Sequence, residues 1–330
     1  MRKLLSWFLV CAVCVCLFAG AAAGAEKIAI GVAMDNLDDP FWMGVKKGID
    51  AAVKELGDKV EINIQVCLGD ANVQHKQIED MVTAGADAIA CIYVDSETIR
   101  QSVELCNEKN IPFVYMDRTL ESDDEITVSW GFATDNYALT VAGWEYMADY
   151  ARKNGIKWKV LELVGSLTDQ NVLFRTEGFE KVMADNPGII ERIQSVPTEW
   201  NLEKALAGCT NALQASPDIN CIFMHSDYLL APTIQALEAA GRWVEIGKPG
   251  HVAVMPFSGA ALSIQAMKEK KVEMCFGMDT FGAGYEGVIA AYNFAAGIDD
   301  PKYKAFVNDP GFVITQENFA QTAPRAYGWE

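Results

Sequence analysis

Side chains that could bind a polar organic molecule follow the short apolar runs of this sequence of 330 residues. Carboxylates accept hydrogen bonds from hydroxyl groups, and arginines donate hydrogen bonds to hydroxyl oxygens. Aromatic rings cover the C–H faces of a sugar and exclude water from them. This chemistry suits a polyol, because each of its hydroxyl groups both donates and accepts. The candidate ligand-binding residues are Asp39, Phe41, Trp42, Asp117, Arg118, Arg175, Trp200, Ser226, Phe257, Ser258 and Asp279.

Several of these residues also have a purely structural explanation. Asp39 precedes Pro40, which is the pattern of a helix N-cap followed by proline in the first turn. The neighbouring Asp35 and Asp38 lack the alternating spacing of a calcium-binding loop. We therefore interpret these two residues as helix caps or ligand contacts. The shared position of the candidates after predicted strands favours a binding site, because ligands of open α/β sheets lie beyond the carboxyl ends of the strands.

Short runs rich in isoleucine and valine alternate with longer stretches that carry apolar residues every three or four positions. The short runs predict strands buried on both faces, and the longer stretches predict helices packed on them. The predicted strands cover 27–33, 61–67, 88–93, 111–116, 157–163, 189–195, 221–224, 251–256 and 272–277, with extended segments at 126–132 and 312–315. The predicted helices begin at Asp39-Pro40 and cover 73–84, 96–109, 137–153, 170–184, 202–214, 229–240, 260–269 and 282–296.

Repeated strand–helix units predict parallel sheets with right-handed crossovers. The number of units is too high for one sheet, and the extended segment at 126–132 interrupts the regular alternation of a (β/α)₈ barrel. The sequence therefore predicts an α/β fold with two doubly wound parallel-sheet lobes.

The first 25 residues have the pattern of a secretory signal peptide. Two basic residues precede an apolar run over 4–18, and the small residues at 23–25 suit cleavage. The run is shorter than the roughly 20 residues of a membrane-spanning helix, so an anchor is the weaker alternative. A lipid-modified Cys14 or Cys16 is a second alternative. We expect an exported protein.

The charge of the chain limits its partners. Acidic residues outnumber basic ones by 45 to 27, and the formal net charge is −18 at pH 7. Phosphate contacts require clustered lysine and arginine, so this composition argues against a nucleic-acid partner.

One segment, 282–287, matches the G-x-G-x-x-G pattern of dinucleotide-binding folds. It stands in the last strand–helix unit, whereas the pattern usually opens such a fold, so we interpret its glycines as small residues of a closely packed helix. The three histidines lack H-E-x-x-H spacing, and no serine stands in a G-x-S-x-G elbow. The sequence thus predicts no catalytic residue, no metal site and no cofactor, with an NAD-type oxidoreductase as the enzyme alternative.

Six cysteines follow the predicted signal peptide, and none has C-x-x-C spacing. Cys209 lies in a predicted helix, and Cys221 begins the strand that follows it. A helix that returns over its own sheet could bring these two within bridging distance in an oxidising compartment. A Cys209–Cys221 disulfide and two buried thiols are the two alternatives.

Several motifs together resemble the ribose-type periplasmic sugar-binding proteins of bacterial ABC importers. The Asp-Pro-Phe-Trp segment at 39–42 resembles the family's Asn-Pro-Phe-Phe turn, and Asp117-Arg118 is identical to its ligand-binding pair. The 174–179 segment resembles the family's R-x-x-G-F stretch, whose arginine binds the sugar. The corresponding arginine of this chain is Arg175. Trp200 and Phe257 stand where the family has stacking phenylalanines.

Four positions depart from the ribose-type pattern. Ser226 and Ser258 replace an asparagine and an aspartate, while Met278 and Ile92 replace a glutamine and an asparagine. A site that hydrogen-bonds a particular hydroxyl is specific because an unpaired partner is costly. Shortening or removing those partners predicts a ligand other than ribose.

The resemblance implies a periplasmic binding protein of type I, with two lobes joined by a multi-strand hinge. It implies lobes of 26–133 plus 279–311 and of 134–278 plus 312–330. It further implies a monomeric periplasmic protein that captures a small neutral sugar or polyol and delivers it to an ABC permease in the inner membrane. A chemoreceptor or sensor kinase is the alternative partner.

Overall fold

The computed structural model describes residues 27–329 of the chain. The predicted signal peptide, 1–25, lies outside the described residues. Two six-stranded sheets with helices packed on their faces make up the fold. The predicted α/β fold with two parallel-sheet lobes is therefore confirmed.

The first sheet has the strand order β11-β5-β4-β3-β1-β2, and all its strands are parallel. The segment that interrupts the sequence pattern near residue 130 supplies β5, an ordinary parallel strand beside β4. The strands are β1 (Ile28–Met34), β2 (Val60–Val66), β3 (Ala88–Cys91), β4 (Phe113–Asp117), β5 (Trp130–Thr134) and β11 (Val307–Asp309).

The second sheet has the order β12-β10-β9-β8-β6-β7, in which only the pairing of β10 with the edge strand β12 is antiparallel. The strands are β6 (Trp158–Val164), β7 (Ile190–Pro197), β8 (Cys221–Met224), β9 (Ala253–Ser258), β10 (Met274–Gly277) and β12 (Phe312–Thr315).

Most helices begin where a side chain accepts a hydrogen bond from a backbone N–H of the first turn, which satisfies a donor that the helix cannot. Asp39, Asp70, Asp135 and Asp169 are such N-caps. The helices are α1 (Pro40–Leu56), α2 (Ala71–Thr83), α3 (Thr98–Glu108), α4 (Asn136–Asn154), α5 (Gln170–Asp185), α6 (Leu202–Ala215), α7 (Leu230–Ala239), α8 (Ala261–Lys268), α9 (Thr280–Ala295) and α10 (Phe319–Thr322).

The chain passes from one sheet to the other three times. It crosses between β5 and α4, between β10 and α9, and between β11 and β12. These crossings lie close to the carboxyl ends of both sheets, because β5 and β10 are parallel strands that end there. The two sheets can therefore face each other across a cleft bounded by their carboxyl edges.

The sequence pattern did not predict β11 or α10. The strand β11 is three residues long and the helix α10 is four. Neither element is long enough to show a hydrophobic period, so its neighbours in the fold decide its conformation.

Of the two alternatives for Cys209 and Cys221, the structure has the pair of buried free thiols. Cys221 and Phe223 share one face of β8, while Ile222 packs with Cys209 on the other face. Successive side chains of a strand point to opposite faces, so the sheet itself separates the two sulfurs. Cys221 Sγ instead lies 3.7 Å from the sulfur of Met255.

Within residues 27–329, no helix has both the length and the apolar character needed to cross a bilayer. The same part of the chain holds no group of three or more His, Cys, Asp or Glu side chains placed to bind a metal ion.

Candidate functional site

A cavity of about 90 Å³ lies between the two lobes. Its walls come from segments that follow β1 and β4 of the first sheet and β6, β7, β8 and β9 of the second. It brings together nine of the predicted residues: Asp39, Phe41, Trp42, Asp117, Arg118, Arg175, Trp200, Ser226 and Ser258. It adds five that the prediction did not include: Asp35, Asn36, Asp169, Asn171 and Tyr228.

Two predicted site residues do not line this cavity. Phe257 is fully buried, stacks on Phe276 with ring centroids 4.4 Å apart, and lies under the Arg175 guanidinium at 4.1 Å. Asp279 is exposed and accepts a hydrogen bond from the backbone N–H of Gly282 at 2.7 Å, as the N-cap of α9. Phe257 can therefore act on a ligand only through Arg175, and Asp279 has the role of a cap.

Arg118 connects the two lobes. It follows β4 of the first sheet, and its guanidinium lies 2.7 Å from a carboxylate oxygen of Asp169, the residue that caps α5 in the second lobe. Both side chains are buried, at 4% and 2% exposure. Arg118 also donates to the Tyr93 carbonyl and lies over the Trp42 ring at 5.6 Å. Burial opposes its charge, but Asp169 and Asp117 outweigh burial and raise the pKa of Arg118.

Asp117 makes a second bond across the cleft. Its carboxylate accepts a hydrogen bond from the Asn171 amide at 3.1 Å. Its backbone has a φ of 100°, a conformation that costs about 1–3 kcal/mol for a residue other than glycine and occurs mainly at functional sites. Burial raises the pKa of Asp117 to about 6, against the opposing effect of Arg118 and Arg175.

Arg175 is held by the second lobe and by residues at two of the crossings between the sheets. Its Nε donates to the Asn136 side chain at 2.8 Å, and its two terminal nitrogens donate to the His225 carbonyl and to the sulfur of Met278, the latter at 3.7 Å. Burial lowers the pKa of Arg175 to about 10, so the group stays charged at neutral pH. The thioether is a weak acceptor, which leaves this nitrogen able to donate to a ligand oxygen.

The first lobe presents two further carboxylates. Asp39 caps α1 by accepting from the Phe41 N–H at 2.8 Å, and burial raises its pKa to about 6. Asp35 ends the apolar stretch of β1, is 8% exposed, and has its pKa raised by burial. Asp39 thus both caps α1 and lines the cavity.

The four departures from the ribose-type pattern fall in different places. Ser226 and Ser258 line the cavity, as short side chains that leave room beside them. Met278 is buried against Arg175, and Ile92 is fully buried outside the cavity wall. The two departures that line the cavity therefore both belong to the second lobe.

The glycines of the 282–287 segment lie inside α9, where they permit close packing. A Cβ at Gly284 would collide with the Val45 carbonyl of α1, and one at Gly287 would collide with Met116 of β4. A Cβ at Gly282 would collide with the Asp279 carboxylate that caps the helix. Close packing of α9 thus accounts for Gly284 and Gly287, and the N-cap of the helix accounts for Gly282.

Trp200 offers an aromatic wall, and its removal should weaken binding. The residue is partly buried, its backbone has a φ of 55°, and its ring lies against Gly165, where a Cβ would collide with it. Loss of a ring face that covers a ligand costs about 1–2 kcal/mol, so we expect Trp200→Ala to raise Kd roughly 5- to 30-fold by calorimetry. The control is Trp243→Ala in the same lobe outside the cavity, and an equal loss in both variants would contradict the role of Trp200.

The chain is similar in sequence to known binding proteins. The family model of the periplasmic binding protein domain matches residues 30–299. The ribose import binding protein of Bacillus subtilis is 29% identical over 75% of each chain. The D-allose-binding periplasmic protein of Escherichia coli is 29% identical over 73% of this chain and 77% of its own.

Solved structures share the fold. An ABC transporter solute-binding protein from Bacillus halodurans with bound myo-inositol superposes with a TM-score of 0.80 at 21% identity, covering 91% of this chain and 98% of that one. A solute-binding protein from Actinobacillus succinogenes with bound D-allose gives 0.77 at 22% identity, covering 88% and 98%. On the extent of the family match, this chain belongs to the periplasmic binding protein family.

Proposed function

We propose that this protein is an exported solute-binding protein that captures a sugar or polyol between its lobes and delivers it to an ABC importer. The observation that carries the proposal is the cavity between the lobes, whose wall combines carboxylates, two arginines and the indoles of Trp42 and Trp200. Such a wall satisfies hydroxyl groups and covers C–H faces at once. The names of the relatives, which are ribose, allose and inositol binders, support the same class of ligand.

The remaining parts of the proposal follow from this role. The predicted signal peptide would place the protein in the periplasm, where it meets the permease of the inner membrane. We propose lobes of 26–133 plus 279–311 and of 134–278 plus 312–330, a division supported by the membership of the two sheets. The protein would act as a monomer and perform no chemistry, since capture requires only binding and lobe movement.

A ligand screen by thermal shift tests the function. Ligand that binds only the folded state stabilises it by roughly 3–4 kcal/mol at 100 to 1,000 times Kd. We expect at least one clear rise in melting temperature across pentoses, hexoses, sugar alcohols, inositols and amino sugars. The protein is first unfolded and refolded to remove bound ligand. No shift with any member of the panel would contradict the proposed function.

A further inference from the structure

The wall of the cavity carries more carboxylates than cations. Four aspartates line it, Asp35, Asp39, Asp117 and Asp169, against the two arginines Arg118 and Arg175. Asp169 and Arg118 form a buried ion pair, and the same Arg118 is the cation that acts on Asp35 and Asp39, while Arg175 acts on Asp117, so the carboxylates of the wall outnumber its cations by four to two. A buried charge without a partner is costly, so this surplus calls for positive charge from elsewhere.

Two buried oxygens at the cavity lack a hydrogen-bond donor. Asp35 Oδ1 and Asn171 Oδ1 have no partner in the part of the chain that the structure describes, and their residues are 8% and 3% exposed. Leaving a buried acceptor without a donor destabilises the protein, and more so when the acceptor is charged. Since both oxygens belong to the cavity wall, the ligand is the group placed to donate to them.

The pKa values of Asp35 and Asp39 also indicate that the negative charge of the cavity wall is not balanced by its arginines. Burial raises the pKa of Asp39 to about 6, with Asp35 adding to the shift and Arg118 opposing it. Burial also raises the pKa of Asp35, opposed by Arg118. The arginines of the wall therefore do not compensate the burial of these carboxylates.

Aromatic rings complete a wall suited to a cation. Trp42, Trp200 and Tyr228 line the cavity, and the Trp42 ring already lies under one guanidinium. An ammonium within about 6 Å of an indole face is attracted by the ring, most strongly when the ammonium is desolvated.

We propose that the ligand carries a protonated amine, as an amino sugar or an aminocyclitol does, and that Asp35 and Asp39 bind its ammonium. This inference rests on the proposed function and replaces the expected neutral sugar by a cationic one. The hydroxyl groups of the same ligand would bind Arg175 and Asn171.

Matched pairs of compounds test the inference by isothermal calorimetry on refolded full-length protein. The pairs are D-glucosamine with D-glucose, D-galactosamine with D-galactose, and an inosamine with myo-inositol. N-acetyl-D-glucosamine and N-acetyl-D-galactosamine serve as uncharged nitrogen controls. We expect the amine of at least one pair to bind 10-fold or more tightly than both its hydroxyl and N-acetyl counterparts. Equal or tighter binding of the hydroxyl compound in every pair that binds would overturn the inference and leave the proposed function standing.

Two variants then test which aspartate binds the ammonium. Asp35→Asn keeps the shape and removes the charge, so it should weaken the amine about 10-fold or more and the hydroxyl compound less than 3-fold. Asp38→Asn, an exposed neighbour in the same loop, should change neither. An unchanged preference for the amine in Asp35→Asn would contradict the assignment of Asp35. No binding by any member of any pair would count against the proposed function, and the inference would fall with it.

Discussion

Replacing Arg175 with alanine is expected to weaken ligand binding by about 30- to 1,000-fold, which corresponds to roughly 2–4 kcal/mol. The guanidinium is 4% exposed and lies over the Phe257 ring at 4.1 Å, so its position is fixed before the ligand arrives. One of its terminal nitrogens donates to the sulfur of Met278 at 3.7 Å, a weak acceptor that a ligand oxygen can readily replace. Calorimetry with a compound identified by the thermal-shift screen measures the effect.

The Arg175 variant needs controls for stability. Arg192→Ala removes another arginine of the second lobe, one that pairs with Glu162 and Glu180 and lies over the Phe179 ring at 5.9 Å, away from the cavity. We expect this variant to bind normally. Circular dichroism shows whether each variant is folded, and Arg175→Lys keeps the charge if alanine prevents folding.

The comparison with Gly282→Ala separates the two interpretations of the site. A methyl group at Gly282 disturbs the cap of α9 and does not reach the cavity wall. We expect near-normal ligand binding in this variant. Loss of binding in Gly282→Ala together with normal binding in Arg175→Ala would contradict the sugar-binding interpretation of the cleft and favour nucleotide binding at 282–287.

Most of the fold was predictable because local signals agreed with the tertiary structure. Strands buried on both faces, such as β3, appear as continuous apolar runs, and the acid–proline pair at Asp39-Pro40 fixes the start of α1. The position of β5 was missed by a few residues, because nothing local distinguishes a last strand of a lobe from a connecting segment. The sequence left a Cys209–Cys221 disulfide open because proximity along the chain does not reveal which face of β8 a side chain occupies.

The site was predictable to the extent that strand ends define it. The rule that ligands lie beyond the carboxyl ends of strands selected Asp117, Arg118 and Ser258, and all three line the cavity. Asp169 and Asn171 also follow a strand, but their own signal was that of an ordinary N-cap and first helical turn. Only the packing of one lobe against the other shows that they contact Arg118 and Asp117.

These contacts tie ligand binding to the position of the lobes. The Arg118–Asp169 ion pair and the Asp117–Asn171 hydrogen bond each join the first lobe to the second. A ligand stabilises an arrangement only through contacts that differ between the open and the closed states. Contacts between the lobes stabilise the closed state. We therefore expect their strength to determine how much of the free energy of ligand binding must be used to close the lobes.

Asp169→Asn should accordingly weaken binding by about 100-fold or more, through loss of this connection. Asparagine keeps the N-cap of α5, since its side-chain oxygen can still accept from the Asn171 N–H. It breaks the buried ion pair with Arg118, which costs up to about 3–5 kcal/mol when one partner of such a pair is removed, and Asp117, which also acts on Arg118, offsets part of this cost. Opening of the lobes returns Arg118 to water, so the variant should avoid this cost by populating the open state, visible as a larger radius of gyration in small-angle scattering without ligand.

The matched control is Asp70→Asn, which makes the same change at an exposed N-cap of α2 in the first lobe. That variant should keep both the affinity and the radius of gyration of the wild type. Saturating ligand should restore the compact form of Asp169→Asn, because ligand contacts can still close the lobes at higher concentration. If Asp169→Asn binds as tightly as the wild type and stays compact without ligand, the Arg118–Asp169 pair contributes nothing to closure, and the coupling argued from it is wrong.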